Sequence, residues 1–161
     1  MFLYGGPLST VANVILSYSF PAPRIVKAQS SMSTILVQQF RAILGNGSNI
    51  IFLSSLGARA AVGTLSAYAS TKGAINTLVK YFATMLGSRG IHVNAVAPGV
   101  IDTDMSHFTK TEEGRTTVMG MQTLKRIGQP DDVASVVAFL ASDDARWITG
   151  DTIPVDGGSR L

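Results

Sequence analysis

The chain has 161 residues, which fits a single domain that buries roughly 70% of its unfolded surface. It has no cysteine, which excludes disulfides and thiolate metal sites, and its 46% hydrophobic and 14% charged residues favour a parallel sheet covered on both faces. The net charge of +3 divides into +7 over residues 1–101 and −4 over residues 102–161, and the basic residues form no run. Nucleic-acid binding requires basic residues clustered on one face, so we do not expect a nucleic-acid partner.

The first part of the chain gives the weakest structural pattern. Residues 1–27 form an atypical N-terminal segment, in which Pro21 and Pro23 interrupt any regular element. Residues 28–44 carry an apolar stripe at helical spacing, which predicts a helix that ends at Gly45.

Apolar strands alternate with helices over the rest of the chain. The predicted strands cover residues 49–54, 91–97 and 152–155, and the predicted helices cover residues 66–88 and 131–141, the second directly after Pro130. This alternation predicts an α/β fold with a parallel sheet and flanking helices. Residues 102–125 are polar and rich in Thr, so we expect a mobile lid or a substrate loop there.

Three reactive side chains occur in order at the end of one strand and on the following helix: Ser55, Tyr68 and Lys72. Tyr68 and Lys72 are four residues apart and so share one helical face. An ammonium about 4 Å from a phenol favours the phenolate by roughly 4 kcal/mol at an effective dielectric of 20, so Tyr68 could exchange a proton near neutral pH. Ser55 could donate a hydrogen bond to the same substrate oxygen. A Tyr and a snorkelling Lys at this spacing also occur by chance in purely structural helices.

The residues around this trio form five ordered segments over about 110 residues. They include Ser54-Ser55, Tyr68-Ala69-Ser70-Thr71-Lys72 and Asn94-Ala95-Val96-Ala97-Pro98-Gly99, followed by a segment that begins at Arg126 and another that ends at Asp156-Gly157-Gly158. Together these segments resemble the short-chain dehydrogenase/reductase family, and most of all its 3-oxoacyl-carrier-protein reductase and glucose-dehydrogenase branch.

The resemblance implies a catalytic half-domain over residues 28–161, built as a truncated Rossmann-like, doubly wound parallel sheet. In it Ser55 would orient the substrate carbonyl and Tyr68 would exchange the proton. Tyr68 and Lys72 would also bind the cofactor NAD(P)(H), Lys72 through the nicotinamide ribose. Four further residues would line the nicotinamide: Pro98, Gly99, Ile101 and Thr103. We interpret Asp102, Asp104 and Asn94 as capping or strand-end residues, and His92 and His107 as residues outside any metal site.

Parts of the family pattern are missing. The sixteen glycines form neither Gly-x-x-x-Gly-x-Gly nor Gly-x-Gly-x-x-Gly, so the phosphate loop of a dinucleotide site is absent. The family's catalytic serine lies further along its chains, which predicts that about 85 residues are lacking before Ser55. The family also has a helix Asn that would fall at Lys27. Because removal of the first strands exposes a sheet edge, we expect a homo-oligomer that covers it.

Three functions stay open at this point. The first is an oxidoreductase that moves hydride between NAD(P)(H) and a small carbonyl or alcohol. The second is a cofactor-independent hydrolase in which Ser55 attacks an ester and Tyr68 with Lys72 acts as the base, although no Gly-x-Ser-x-Gly elbow surrounds Ser55. The third is an inactive remnant that acts only in assembly. No apolar run reaches the roughly 18–20 residues of a membrane span, so we expect no membrane association. The absence of cysteine suits the cytosol, so we expect a cytoplasmic location.

Overall fold

The computed structural model describes residue 37 and residues 44–160. Three parallel strands form one sheet in the order β1-β2-β3: β1 (Asn49–Leu53), β2 (His92–Pro98) and β3 (Thr152–Val155). Ile50 pairs with Val93 across the first two strands, and Val96 pairs with Ile153 across the second pair. The predicted α/β class is therefore confirmed. The N-terminal segment, Lys27 and nearly all of the helix predicted over residues 28–44 lie outside the described residues.

The helix α1 (Ser66–Leu86) covers one face of the sheet. Its buried residues Ile75, Val79 and Phe82 recur at helical spacing and pack with Phe52 of β1, whose ring centroid lies 6.2 Å from that of Phe82. Each such side chain stabilises the fold by roughly 1.5–3 kcal/mol when fully buried. The helix passes into a single 3-10 turn, and Gly90 reverses the chain into β2 with a φ of 66°, a value that a side chain would oppose.

The opposite face of the sheet is covered by α3 (Pro130–Leu140). Because successive strand residues point to opposite faces, Ile51 and Ile153 face α3 while Phe52 faces α1. The helix begins at Pro130 itself, one residue earlier than predicted. Proline is tolerated there because the first turn of a helix does not use its backbone N–H groups. Helices on both faces of a parallel sheet are the arrangement expected of a doubly wound fold.

The segment over residues 102–125, expected to be a mobile lid or a substrate loop, is mostly helical, so the expectation of an irregular loop was wrong. It contains a 3-10 helix (Asp104–Lys110) and then α2 (Glu112–Met121). Thr111 caps α2 by accepting a hydrogen bond from the Gly114 amide at 3.1 Å, and Val118 is buried beneath it. The cap and this single buried residue stabilise a helix that the Thr- and Gly-rich composition does not predict.

No helix among the described residues is long and apolar enough to cross a membrane.

Candidate active site

The trio predicted from the sequence lies where β1 ends and α1 begins. Ser55 follows the last residue of β1 by two positions, and Tyr68 and Lys72 occupy the first two turns of α1. The carboxyl ends of strands are where ligands bind in open α/β sheets. The fold therefore places all three side chains at one end of the sheet.

Lys72 is the most unusual of the three because its charge is buried. The residue is only 4% exposed, and its Nζ donates a hydrogen bond to the Leu53 carbonyl oxygen at 2.9 Å. Its Nζ also lies 5.6 Å from the centroid of the Tyr68 ring, within the range of a cation–π contact. Burial lowers the pKa of the Lys72 ammonium below its ordinary value of 10.5, because the charged form loses hydration.

Ser55 caps the 3-10 helix Leu56–Ala58, and its Oγ accepts a hydrogen bond from the Gly57 amide at 3.1 Å. This bond leaves the Ser55 O–H free to donate to another group. A Cβ placed on Gly57 would lie 3.6 Å from Ser55 Oγ and 3.8 Å from a ring carbon of Tyr68. Gly57 therefore marks the small space that the serine hydroxyl and the tyrosine ring share.

Pro98 and Gly99 lie at the carboxyl end of β2, beside the end of β3. The Gly99 amide donates to the Val155 oxygen at 3.0 Å, and a Cβ on Gly99 would lie 2.8 Å from Asp156 Cα. A side chain at residue 99 would therefore force the Asp156 backbone to shift, since its Cα lies at 2.8 Å and its carbonyl oxygen at 3.2 Å from that position.

Ile101 and Thr103 lie further along the same segment. Ile101 forms a parallel bridge with Gly128, and Thr103 is an exposed residue that caps the 3-10 helix Asp104–Lys110, its amide donating to Ser106 Oγ at 2.9 Å. The fold brings Ile101 and Thr103 to the same end of the sheet as Pro98 and Gly99.

A cavity of about 250 Å³ opens beside the carboxyl ends of β2 and β3. Its walls include Ile101, Gln122, Leu124 and Asp156, but none of the trio. At its edge Arg126 pairs with Asp132, which lowers the pKa of Asp132 to about 2 through two hydrogen bonds from Arg126 and one from the Gln129 amide.

Asn94 has the structural role expected of it. Its Nδ2 donates to the Ile148 oxygen at 2.9 Å and its Oδ1 accepts from the Asp151 amide at 3.2 Å, so it fixes the loop before β3. Within the described part of the chain, no three His, Asp or Glu side chains converge as metal ligands.

The contacts of four residues in this region were not predicted from the sequence. Ser54 donates to Asn76 Oδ1 at 2.6 Å, and Arg59 forms an ion pair with Asp156. Asn76 is a polar residue four positions after Lys72 on the buried side of α1, which is a signal that the sequence does contain. The partners of Arg59 are 97 and 100 residues away in the chain, so no local pattern indicates them.

Comparison with known proteins identifies relatives over most of the chain. A family model described as enoyl-(acyl carrier protein) reductase matches residues 24–160. The 7alpha-hydroxysteroid dehydrogenase of Bacteroides fragilis is 43% identical over 112 residues, which cover 70% of this chain and 43% of that protein. The 3-oxoacyl-(acyl-carrier-protein) reductase of Pseudomonas aeruginosa is 47% identical over 91 residues, or 56% of this chain and 36% of that protein.

Solved structures are also similar to this chain over most of its length. The angucycline C-6 ketoreductase LanV with bound NADP superimposes with a TM-score of 0.83 at 34% identity, over 92% of this chain and 62% of that one. A blue fluorescent protein from a metagenomic library, in complex with NADPH, superimposes with a TM-score of 0.82 at 31% identity, over 91% and 64%. The chain thus spans about half the length of the curated relatives it matches.

Proposed function

Because this chain belongs to the short-chain dehydrogenase/reductase family, we propose that it is an oxidoreductase that interconverts a small carbonyl compound and its alcohol with a nicotinamide cofactor, through Ser55, Tyr68 and Lys72. The observation that carries the proposal is the buried Lys72 ammonium, which lies 5.6 Å from the Tyr68 ring centroid, while Ser55 Oγ and a Tyr68 ring carbon both lie within 4 Å of a Cβ placed on Gly57. A buried cation next to a phenol is an arrangement suited to proton transfer.

Each member of the trio has a separate task in this proposal. In the reducing direction the Tyr68 hydroxyl gives its proton to the substrate oxygen while that oxygen gains negative charge. The Ser55 O–H donates a second hydrogen bond to the same oxygen and orients it. The Lys72 charge stabilises the phenolate left on Tyr68, and in the oxidising direction the proton returns along the same route.

The residues present fit the nicotinamide end of the cofactor. An ammonium has three N–H donors, and among the described residues Lys72 Nζ has one hydrogen-bond acceptor, the Leu53 oxygen. Two donors therefore remain for the ribose hydroxyls. The backbone at Pro98 and Gly99, with the side chains of Ile101 and Thr103, would flank the nicotinamide, and the cofactor when bound would supply or accept the hydride.

The hydrolase alternative has no observation in its favour. Lys72 Nζ is bonded to the Leu53 oxygen, and Ser55 Oγ accepts a hydrogen bond from the Gly57 amide. A nucleophilic serine requires a hydrogen bond from its own hydroxyl to a base, and no base accepts one from Ser55 among the described residues.

A calorimetric titration of the protein with NADPH and with NADH tests the proposal. We expect binding by the wild type and by Lys80→Met, which removes an exposed lysine of the same helix. Lys72→Met should weaken binding about tenfold or more, because hydrogen bonds from a charged donor contribute roughly 1.5–3 kcal/mol. Absent binding by the wild type would contradict the proposal and favour an inactive remnant that acts only in assembly. Equal binding by all three proteins would contradict the role proposed for Lys72.

We also propose that the protein forms a homo-oligomer. On α1, Tyr81 is 66% exposed and Met85 is 55% exposed, and their spacing of four places them on one face. An apolar surface of this kind on a helix is typical of a contact between subunits. Light scattering at micromolar concentration should give a mass above that of one chain, and a monomer would refute the proposal.

A further inference from the structure

A hydrogen bond joins the residue that follows β1 to α1. Ser54 is 4% exposed, and its Oγ donates to Asn76 Oδ1 at 2.6 Å. The same hydroxyl lies 3.3 Å from the Lys72 carbonyl oxygen, one helical turn earlier. Ser54 thus contacts α1 at two successive turns, and the residue that follows it is Ser55.

A second bond between the same two elements runs in the opposite direction. Lys72 Nζ donates to the oxygen of Leu53, the residue before Ser54. Residues 53 and 54 of the chain are therefore bonded to residues 72 and 76 by one donor from each side. Thr152 Oγ1 of β3 lies 3.4 Å from Asn76 Oδ1, so the amide also joins α1 to the strand beyond β2.

Asn76 interrupts the apolar side of α1 at the level where β1 ends. Its neighbours on that side, Ile75 and Val79, are buried against the sheet. A buried hydroxyl such as that of Ser54 needs a partner, because leaving it unpaired costs roughly 1–3 kcal/mol. Asn76 supplies that partner at one fixed position along the helix, so it defines how α1 lies relative to the end of β1.

From this geometry we propose that Ser54 and Asn76 are a positioning pair, which holds the Lys72 ammonium and the Ser55 hydroxyl in one fixed arrangement. The inference rests on the proposed function for its consequence in catalysis. Neither residue needs to touch the substrate. Misplacement of reacting groups by about 1 Å can lower a rate on the order of a hundredfold.

The first test measures Lys72 directly and needs neither cofactor nor turnover. NMR titration of the lysine side chains gives the apparent pKa of Lys72 in the wild type, Ser54→Ala and Asn76→Leu. If the pair holds Lys72 in its buried position, both variants should raise that pKa by about half a unit or more, because water then reaches the ammonium. Thr77→Ala, an exposed neighbour on the same helix, should leave it unchanged.

The surroundings of Lys72 make this titration specific. The described residues contain two ion pairs, Arg59 with Asp156 and Arg126 with Asp132, and neither includes Lys72. Tyr68 on the same helix is the titratable group that contacts it, and β1 contributes a backbone oxygen only. An unchanged Lys72 titration in both Ser54→Ala and Asn76→Leu would overturn the proposal.

The second test measures activity, and together with the first it separates the positioning pair from the proposed oxidoreductase function. With a carbonyl substrate, Ser54→Ala and Asn76→Leu should each lower kcat about ten- to a hundredfold with little change in KM. The double variant should lose no more than the worse single variant, because the residues act together. Ser54→Thr keeps the hydroxyl and should restore most of kcat. Additive losses, or losses confined to KM, would overturn the pair's role.

The outcomes distinguish a failure of this inference from a failure of the proposed function. A chain without turnover whose Lys72 titration responds to both variants supports the positioning pair and refutes the oxidoreductase. A chain with turnover whose Lys72 titration does not respond refutes the pair alone. Ser54→Ala removes a single oxygen atom, so it tests the same bond if Asn76→Leu does not fold.

Discussion

Replacement of Lys72 by Met should change how the stability of the fold depends on pH. The folded protein lowers the pKa of Lys72 by burial, whereas the unfolded chain has the ordinary value near 10.5. Between these two values the unfolded state binds more protons than the native state. Stability therefore rises with pH in this window, and below it the burial of a charged Lys72 lowers stability.

The magnitude follows from one proton. A full difference of one bound proton changes the free energy of unfolding by about 1.4 kcal/mol per pH unit. For a domain of this size that equals a change of roughly 3–5 °C in Tm. Lys72→Met also leaves the Leu53 oxygen without its donor, at a cost of about 1–3 kcal/mol, but this cost does not depend on pH.

Denaturant unfolding of the wild type, Lys72→Met and Lys80→Met between pH 7 and pH 10.5 measures the effect. The free energy of unfolding of the wild type minus that of Lys72→Met should rise with pH over the window just below 10.5. The free energy of unfolding of the wild type minus that of Lys80→Met, which removes an exposed lysine, should not change over the same pH window. Parallel curves for all three proteins would show that burial of the charged Lys72 does not lower the stability of the fold.

Three further predictions concern the surroundings of the site. Gly99→Ala should lower the free energy of unfolding by about 1–3 kcal/mol, because its Cβ would lie 2.8 Å from Asp156 Cα. Gly73→Ala should raise it by about 0.5–1 kcal/mol, because a Cβ at this position of α1 meets no atom within 4 Å. Thermal melts in which both variants shift Tm in the same direction would contradict this. Arg59→Met should lower the free energy of unfolding in urea by about 1–3 kcal/mol, because it leaves the Asp156 carboxylate, 5% exposed, without its cation. The loss stays modest because the Arg59 side chain is 37% exposed to solvent. A loss no larger than that of Arg146→Met would contradict this prediction. NMR titration should give Asp132 a pKa of about 2. The stability that Asp132 contributes is therefore fully present above the ordinary value of 3.8 and is lost as the pH falls through about 2. Arg126→Met should bring the pKa of Asp132 back towards 3.8.

The strands and the trio follow from local patterns in the sequence. Continuous apolar residues mark β1 and β2, and the Tyr-x-x-x-Lys spacing places Tyr68 and Lys72 on one side of α1. The helical state of residues 102–125 does not follow from such patterns, because a cap at Thr111 and the burial of Val118 stabilise it against a weak helical propensity.

The bonds that surround the trio could not be predicted for a different reason. Ser54 and Asn76 are 22 residues apart, and Arg59 and Asp156 are 97 residues apart. Each pair meets only after the sheet has formed with α1 on one face, so the contact is a property of the fold and not of any segment. The motif Asp156-Gly157-Gly158 was recognised in the sequence, yet its partner Arg59 was not.

Transfer of deuterium from NADPH labelled at the nicotinamide C4 position to a carbonyl substrate separates a hydride-transferring enzyme from an inactive chain. The protein, Tyr68→Phe and Tyr81→Phe are each incubated with the labelled cofactor and a set of small ketones and aldehydes, and the alcohol products are analysed by mass spectrometry. We expect deuterated alcohol from the wild type and from Tyr81→Phe, whose tyrosine is exposed on the same helix. Tyr68→Phe should lose at least about a hundredfold of this transfer. Equal transfer by Tyr68→Phe, or none by the wild type, would contradict this expectation.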